Sequence, residues 1–434
     1  MSGPLTALAI QVLRNAIILD NYVESNKLNP PSFSPEAPES WDLTNQDTEP
    51  ARIALAQASH DLYELALGPM ELVLMRATAT KWDVIVTKVL ADNNVYAAVP
   101  LEGTATFEEV STKTGLNLDL TKRLIRYATT IRVFRESEPG RVAHTAQSAL
   151  QLRNHVSYRR EVFFNDLDLQ TAFALPQAIK KYPRFGGDDT GATGAVQIAL
   201  RSEEDIAYFD WLSKDKAKLE DFHVVMSSLQ QLVMGEGIVK ADIWRDLPPG
   251  ALVVDIGGST GHNSIILAKE YPHLNFVVED LPEVVSENEK KFKQTPESET
   301  PAEVKNRVSF LAHNFFEPQP LAADVYLLRY ILHDWSDVNC SAILKNLIPK
   351  LKSNSRIIIV DVLLNWTENI PLVRAKVQRA MDLDMLAGLG AKERSLEDWN
   401  RLFSSVDSRL EIEKTWAPRG TMYNMTLLIL KLAV

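Results

Sequence analysis

The chain has 434 residues, too many for one ordinary hydrophobic core and enough for two or three domains. Hydrophobic residues at 45% and charged residues at 24% exclude a disordered chain, and the one cysteine, Cys340, excludes an intramolecular disulfide and cannot by itself build a zinc site. A formal net charge of −11 repels nucleic acid on average and favours a small-molecule or protein partner.

The first stretch, MSGPLTALAIQVLRNAIILDNYVESNKL, lacks a basic leader region and a cleavage signature, and no apolar run approaches bilayer length. It reads as an amphipathic helix of a cytoplasmic protein without a membrane partner. Residues 29–50 carry five prolines among Ser, Glu and Asn and read as an extended strap, so 1–50 is one segment. Helical spacing resumes from Ala51 to about Ala91, with Gly68-Pro69 as a break. Thr106 and Glu109 then form a capping box, Gly115 marks a tight turn, and FRESEPGRVAHT reads as a hairpin with Pro139-Gly140 at its tip. Helix, turn, helix and hairpin make a winged-helix pattern over 51–155. Its basic residues Lys122, Arg123, Arg126, Arg132 and Arg135 raise DNA reading as an option, but in an acidic chain a dimerisation scaffold with a solvated basic face is the better expectation.

Residues 156–245 are again helical in pattern and rich in aromatics and methionines. Phe163, Phe164 and Met226 are candidates for lining an apolar pocket, although the same spacing suits plain core. From 246 to 434 the texture changes to ALVVDI, NFVVE, VSFLA, DVYLLR, SRIIIVDVLL and NMTLLILKL, separated by helical patterns. Such alternation predicts an α/β domain with a parallel, doubly covered sheet.

The stretch LVVDIGGSTGHNSIILAKEYPHLNFVVEDLP predicts a ligand site. A strand ending in Asp255 runs into Gly257, Gly258 and Gly261, a helix follows, and a second strand ends at Asp280, 23 positions after Gly257, where a carboxylate can hold a ribose diol. The glycine order misses the dinucleotide pattern, and GHNS supplies no lysine for a phosphate loop. What remains suits a nucleoside without a pyrophosphate, namely S-adenosylmethionine.

From about residue 60 to the C-terminus these motifs resemble the S-adenosylmethionine-dependent O-methyltransferases of the caffeic-acid and flavonoid type, and especially the fungal tailoring enzymes of secondary metabolism. The resemblance implies a Rossmann-like methyltransferase domain behind a mainly α, winged-helix dimerisation domain, a homodimer, and a substrate held between the halves. It also implies that Gly257 and Gly258 belong to the cofactor motif, with Gly257 facing the methionine portion, that Asp280 binds the ribose, and that Asn314 and Phe315 in HNFFEPQP flank the adenine. Arg329 in LLRYILHDW falls where the family usually has a lysine, and His333 falls on the general base. Asn314 departs from the family's usual aspartate.

Methyl transfer to oxygen is an in-line displacement that needs an unprotonated acceptor, and a phenol with a pKa of about 10 is mostly protonated at neutral pH. A histidine whose other ring nitrogen is held by a carboxylate supplies the base. By the resemblance Glu393 in GAKERS is that orienting partner and Asp361, at the end of IIIVD, is a second acidic flank where the plant enzymes have glutamate. Asp334 is expected to point elsewhere, as the neighbour of a strand-end residue does, and Trp335 to wall the site. Most histidines are structural, and His60 and His273 read so. Two other classes stay open. One is a methyltransferase-like pericyclase or dehydratase that binds the cofactor without methyl transfer, for which Asn314 speaks and His333 does not. The other is a winged-helix regulator that senses a ligand, in which the acid and base residues would be idle.

Overall fold

The computed structural model describes residues 3–39, 48–182, 195–200, 208–233, 237–364, 370–417 and 425–432. The chain forms two units, one of residues 1–170, 215–228 and 371–373, the other of 171–214, 229–370 and 374–434.

In the first unit, α1 (Pro4–Ser25) lies on α2 (Glu49–Thr78), with Leu19 and Val23 buried against Ala51. Gly68, at φ 76° and ψ 169°, breaks α2 ahead of Pro69, because proline disfavours a helical residue before it. α3 (Thr80–Asp92) follows. The strap is tied down at Phe33: its carbonyl accepts the Ala146 N–H at 2.9 Å, and the Arg132 guanidinium sits 4.2 Å from its ring centre. Residues 40–47 of the strap lie outside the described residues.

The helix Phe107–Thr114 starts at the Thr106–Glu109 capping box and ends where Gly115 takes φ 74°. The helix Leu118–Thr130 comes next. Short strands β1 (Ala105–Thr106), β2 (Phe134–Glu138) and β3 (Arg141–His144) pair in the order β1-β3-β2. Most of the basic residues have partners inside the chain: Lys122 lies 3.4 Å from Glu108, Arg126 pairs with Glu136, and the Arg135 Nε–H donates to the His144 carbonyl.

The second unit is built on the strands β4 (Leu252–Ile256), β5 (Asn275–Asp280), β6 (Val308–Ala312), β7 (Val325–Arg329), β8 (Arg356–Leu364), β9 (Arg394–Ser395), β10 (Leu410–Trp416) and β11 (Met425–Leu432). Their order is β10-β11-β8-β7-β4-β5-β6, with β9 beside the end of β8. β4 to β8 are parallel, but β11 pairs antiparallel with β8 and β10 antiparallel with β11, so the sheet is mixed and not wholly parallel as the sequence suggested. β10, LEIEKTW, lacks the continuous apolar run that marks the inner strands, because it is an edge strand with one solvated face.

Val, Ile and Leu side chains of the inner strands pack into a core on each face, one around Trp244 and Phe276, the other around Trp399 and Phe403. β5 and β7 flank β4 on opposite sides. The strand order therefore reverses at β4, and the carboxyl ends of the strands at such a reversal are the usual ligand position in open sheets. Among the described residues no helix is long and apolar enough to cross a membrane.

Candidate active site

The turn after β4 leaves room for backbone alone. Gly257 has φ +67°, and a Cβ there would lie 2.4 Å from Ile331 Cδ1; a Cβ on Gly258 would lie 2.8 Å from both Asp255 and Val278. Gly261 (φ +73°) then caps the helix His262–Glu270. Asp255, buried under the turn, accepts the Ser264 hydroxyl at 2.8 Å, and burial pushes its carboxyl up to about 6.

Asp280 ends β5. One of its oxygens accepts the Ser259 N–H at 2.9 Å and the other the Leu281 N–H at 2.8 Å, which fixes the carboxylate beside the glycine turn. Burial raises its pKa against the pull of those two backbone donors. After β6, the Asn314 side-chain oxygen accepts the Phe316 N–H at 3.0 Å, and the Phe315 ring reaches over Gly257 and stands edge-on to Trp335 at 5.9 Å. Trp335 therefore joins Phe315 and Phe316 in an aromatic group. Arg329, at the end of β7, donates from Nη1 to Asn263 Oδ1 at 2.5 Å; its Nε is buried with no hydrogen-bond partner.

His333 follows. Tyr330 takes φ 54°, rare for an aromatic residue, which turns the chain off β7, and residues 332–334 form a single 3-10 turn. The imidazole is buried. Its Nδ1 lies 2.9 Å from Glu393 Oε1, its Nε2 lies 3.3 Å from Asp334 Oδ1, and Tyr330 covers it at 5.0 Å between ring centres. Asp334 thus does not point elsewhere. The tight turn folds it back onto the ring, where a continuing strand would have sent it to the opposite face.

Burial works against the imidazolium, but Asp334, Glu393 and Asp361 together outweigh it and raise His333 to about 10. Burial raises Asp334 to about 6 and Asp361 to about 7, with His333 pulling both the other way. Neither Asp361 oxygen, nor Glu393 Oε2, has a hydrogen-bond partner. The cluster is rich in negative charge and short of donors, so it suits an entering cation or an entering hydroxyl. Among the described residues no group of His, Cys, Asp and Glu is arranged to hold a metal ion.

The structure thus brings Gly257, Gly258, Asp280, Asn314, Phe315 and Arg329 to one end of the sheet, together with His333, Asp361 and Glu393. Phe163, Phe164 and Met226 belong to the first unit, where Phe163 packs edge-on to Phe164 at 5.6 Å. Sequence reasoning missed Tyr330 and the part played by the buried Glu279, whose carboxylate meets His313 Nδ1 at 3.2 Å and Gln319 Nε2 at 2.9 Å just before Asp280. The one available signal for Glu279 was its place beside Asp280 in VVED.

The O-methyltransferase domain family matches residues 193–407. The O-methyltransferase aurJ of Gibberella zeae is 36% identical over 431 residues, covering 95% of this chain and 94% of that protein. Among solved structures, OxaC in complex with sinefungin and meleagrin covers 98% of this chain and is itself covered to 99%, with a TM-score of 0.75 at 19% identity. A structure described as a pericyclic reaction enzyme covers 88% of this chain and 94% of its own, with a TM-score of 0.68 at 24% identity. Those last two likenesses concern the fold. With a relative this similar along nearly the whole of both sequences, the chain belongs to the O-methyltransferase family.

Proposed function

We propose that the chain moves a methyl group from S-adenosylmethionine to a phenolic or enolic hydroxyl of a secondary metabolite, with His333 as general base. The observation that carries the base assignment is the 2.9 Å contact of His333 Nδ1 with Glu393: a carboxylate on Nδ1 fixes the ring and leaves Nε2 as the nitrogen that exchanges a proton.

The residues at the glycine turn fit the cofactor. Gly257 and Gly258 leave a cradle that any Cβ would fill, Asp280 presents a fixed carboxylate for a ribose diol, and Phe315 offers a ring face for adenine next to the Asn314 amide. Arg329 borders the site with an unpartnered Nε. When bound, S-adenosylmethionine supplies an electrophilic methyl group on a sulfonium cation.

At about 10, the imidazole carries a proton at neutral pH in the free protein. Positive charge entering beside Asp334, Asp361 and Glu393 offsets those carboxylates and lowers the proton affinity of His333. Once the imidazolium has released its Nε2 proton to solvent and Asp334 has left Nε2, that nitrogen accepts the proton of the substrate hydroxyl, and Glu393 and Asp361 stabilise the imidazolium that forms again.

A second reading rests on the same proton. An imidazolium is a proton donor, which suits dehydration or rearrangement without methyl transfer. Mass spectrometry of the protein with S-adenosylmethionine and a panel of phenolic polyketides separates the two. Methylated product with stoichiometric S-adenosylhomocysteine is expected; a product of unchanged mass, or one lighter by water, without S-adenosylhomocysteine would overturn the transferase reading.

The working unit is a homodimer in this reading. Ile10, Leu13 and Ile17 recur on one face of α1 and are about half exposed in the single chain, as a face covered by a second copy would be.

A further inference from the structure

The residue after Glu393 holds the His333 loop by its backbone. Arg394 is fully buried, and its guanidinium donates from Nη1 to the Leu332 carbonyl at 2.8 Å and from Nη2 to the Trp335 carbonyl at 2.8 Å. One planar fork therefore spans His333 and Asp334, gripping the carbonyl just before them and the carbonyl just after. Its Nε donates to Asp337 Oδ1 at 2.8 Å, while Lys392 takes the other Asp337 oxygen at 2.6 Å. The Cys340 thiol lies 3.3 Å from Nη2 and donates to the Leu332 carbonyl at 3.1 Å, and the Trp399 ring stands 5.1 Å from the guanidinium.

The strand pairing makes this grip informative. β9 pairs with β8 at Leu363 and Arg394, so the fork is registered to the strand that carries Asp361, and Glu393, one residue earlier, reaches the His333 ring. Burying a guanidinium is costly unless its donors are satisfied, and apolar side chains would fill the same volume more cheaply. What an apolar residue would lose is the fixed distance between two loop carbonyls and the β8–β9 pair.

We propose that Arg394 is a positioning residue for methyl transfer: it fixes the backbone of residues 332–335 so that the His333 ring meets Glu393, and Asp337 in turn fixes Arg394. The inference rests on the reading of His333 as the base. A lysine keeps the charge but cannot hold two carbonyls and a carboxylate with one planar group. Misplacement by about 1 Å costs up to about 100-fold in rate.

The test uses the full chain as wild type, Arg394→Lys and Asp337→Ala. Calorimetry of S-adenosylhomocysteine binding reports the intact cofactor site, steady-state kinetics separates kcat from KM, and NMR of the labelled His333 imidazole follows its titration. The expected result is affinity within about twofold of wild type, a kcat lower by roughly tenfold or more with KM for the cofactor little changed, and a His333 titration moved down toward that of a free histidine. No rescue by lysine is expected. A wild-type His333 titration in either folded variant overturns the proposal whatever the rate does, and Asp337→Ala decides by that criterion if Arg394→Lys does not fold. Failure of the base reading is separate, since it shows as retained transfer in His333→Ala and leaves the titration comparison intact.

Discussion

Replacing His333 by glutamine removes a titrating group and keeps most of its volume, so the pH dependence of stability isolates the charge cluster. An imidazole raised to about 10 in the folded protein, against 6.5 when unfolded, contributes stability that is fully present below pH 6.5 and is lost as pH rises to about 10. At ~1.4 kcal/mol for each tenfold in proton affinity the gap is worth on the order of 5 kcal/mol, or on the order of 10 °C in melting temperature. Asp334 and Asp361, raised to about 6 and about 7, act with the same sign on wild-type stability: their burial adds no pH-dependent cost while they are protonated, and that cost grows as pH climbs from about 4. Scanning calorimetry from pH 5.5 to pH 10 (~0.5 steps) measures this. Wild type is expected to exceed His333→Gln by most near pH 6, with the gap closing through the alkaline limb. A gap that is flat, or that widens with pH, would refute the placement of His333 among net negative charge.

Three other outcomes follow from the site and the exposed helix face. Asp280→Ala removes the charged acceptor assigned to the ribose and is expected to weaken S-adenosylhomocysteine binding by roughly 10–100-fold in calorimetry, and undiminished affinity would remove Asp280 from the cofactor site. Gly257→Ala places a Cβ 2.4 Å from Ile331 at φ +67°, so a loss of about 2 kcal/mol of stability is expected in denaturant titration, with weaker binding beside it. Sedimentation equilibrium is expected to show a dimer, and Leu13→Glu on the exposed face of α1 to shift it toward monomer; a monomeric wild type would contradict the homodimer.

The parts of this protein that sequence makes legible are those where one residue type has one physical use. Gly257 and Gly258 are needed where a side chain would collide, Thr106 and Glu109 cap a helix reciprocally, and β7 runs Val325, Tyr326, Leu327 and Leu328 before Arg329 because it is buried on both faces. His333, Asp361 and Glu393 were placed by resemblance to a family, since nothing in the spacing of 28 and 60 residues from His333 brings carboxylates to an imidazole. Asp334 was misjudged because the local geometry changed from strand to 3-10 turn within three residues. The parts played by Arg394 and Cys340 were not legible, since only the tertiary fold shows that Arg394 is fully buried against backbone carbonyls and that the Cys340 thiol lies beside it.

The assignment of His333 as base is tested most directly by transfer of a deuterium-labelled methyl group from S-adenosylmethionine to an acceptor that the wild type turns over, comparing wild type with His333→Ala. Loss of labelled product by roughly 100-fold or more, with S-adenosylhomocysteine still bound at wild-type affinity, is the predicted result. Transfer at the wild-type rate by His333→Ala would contradict it.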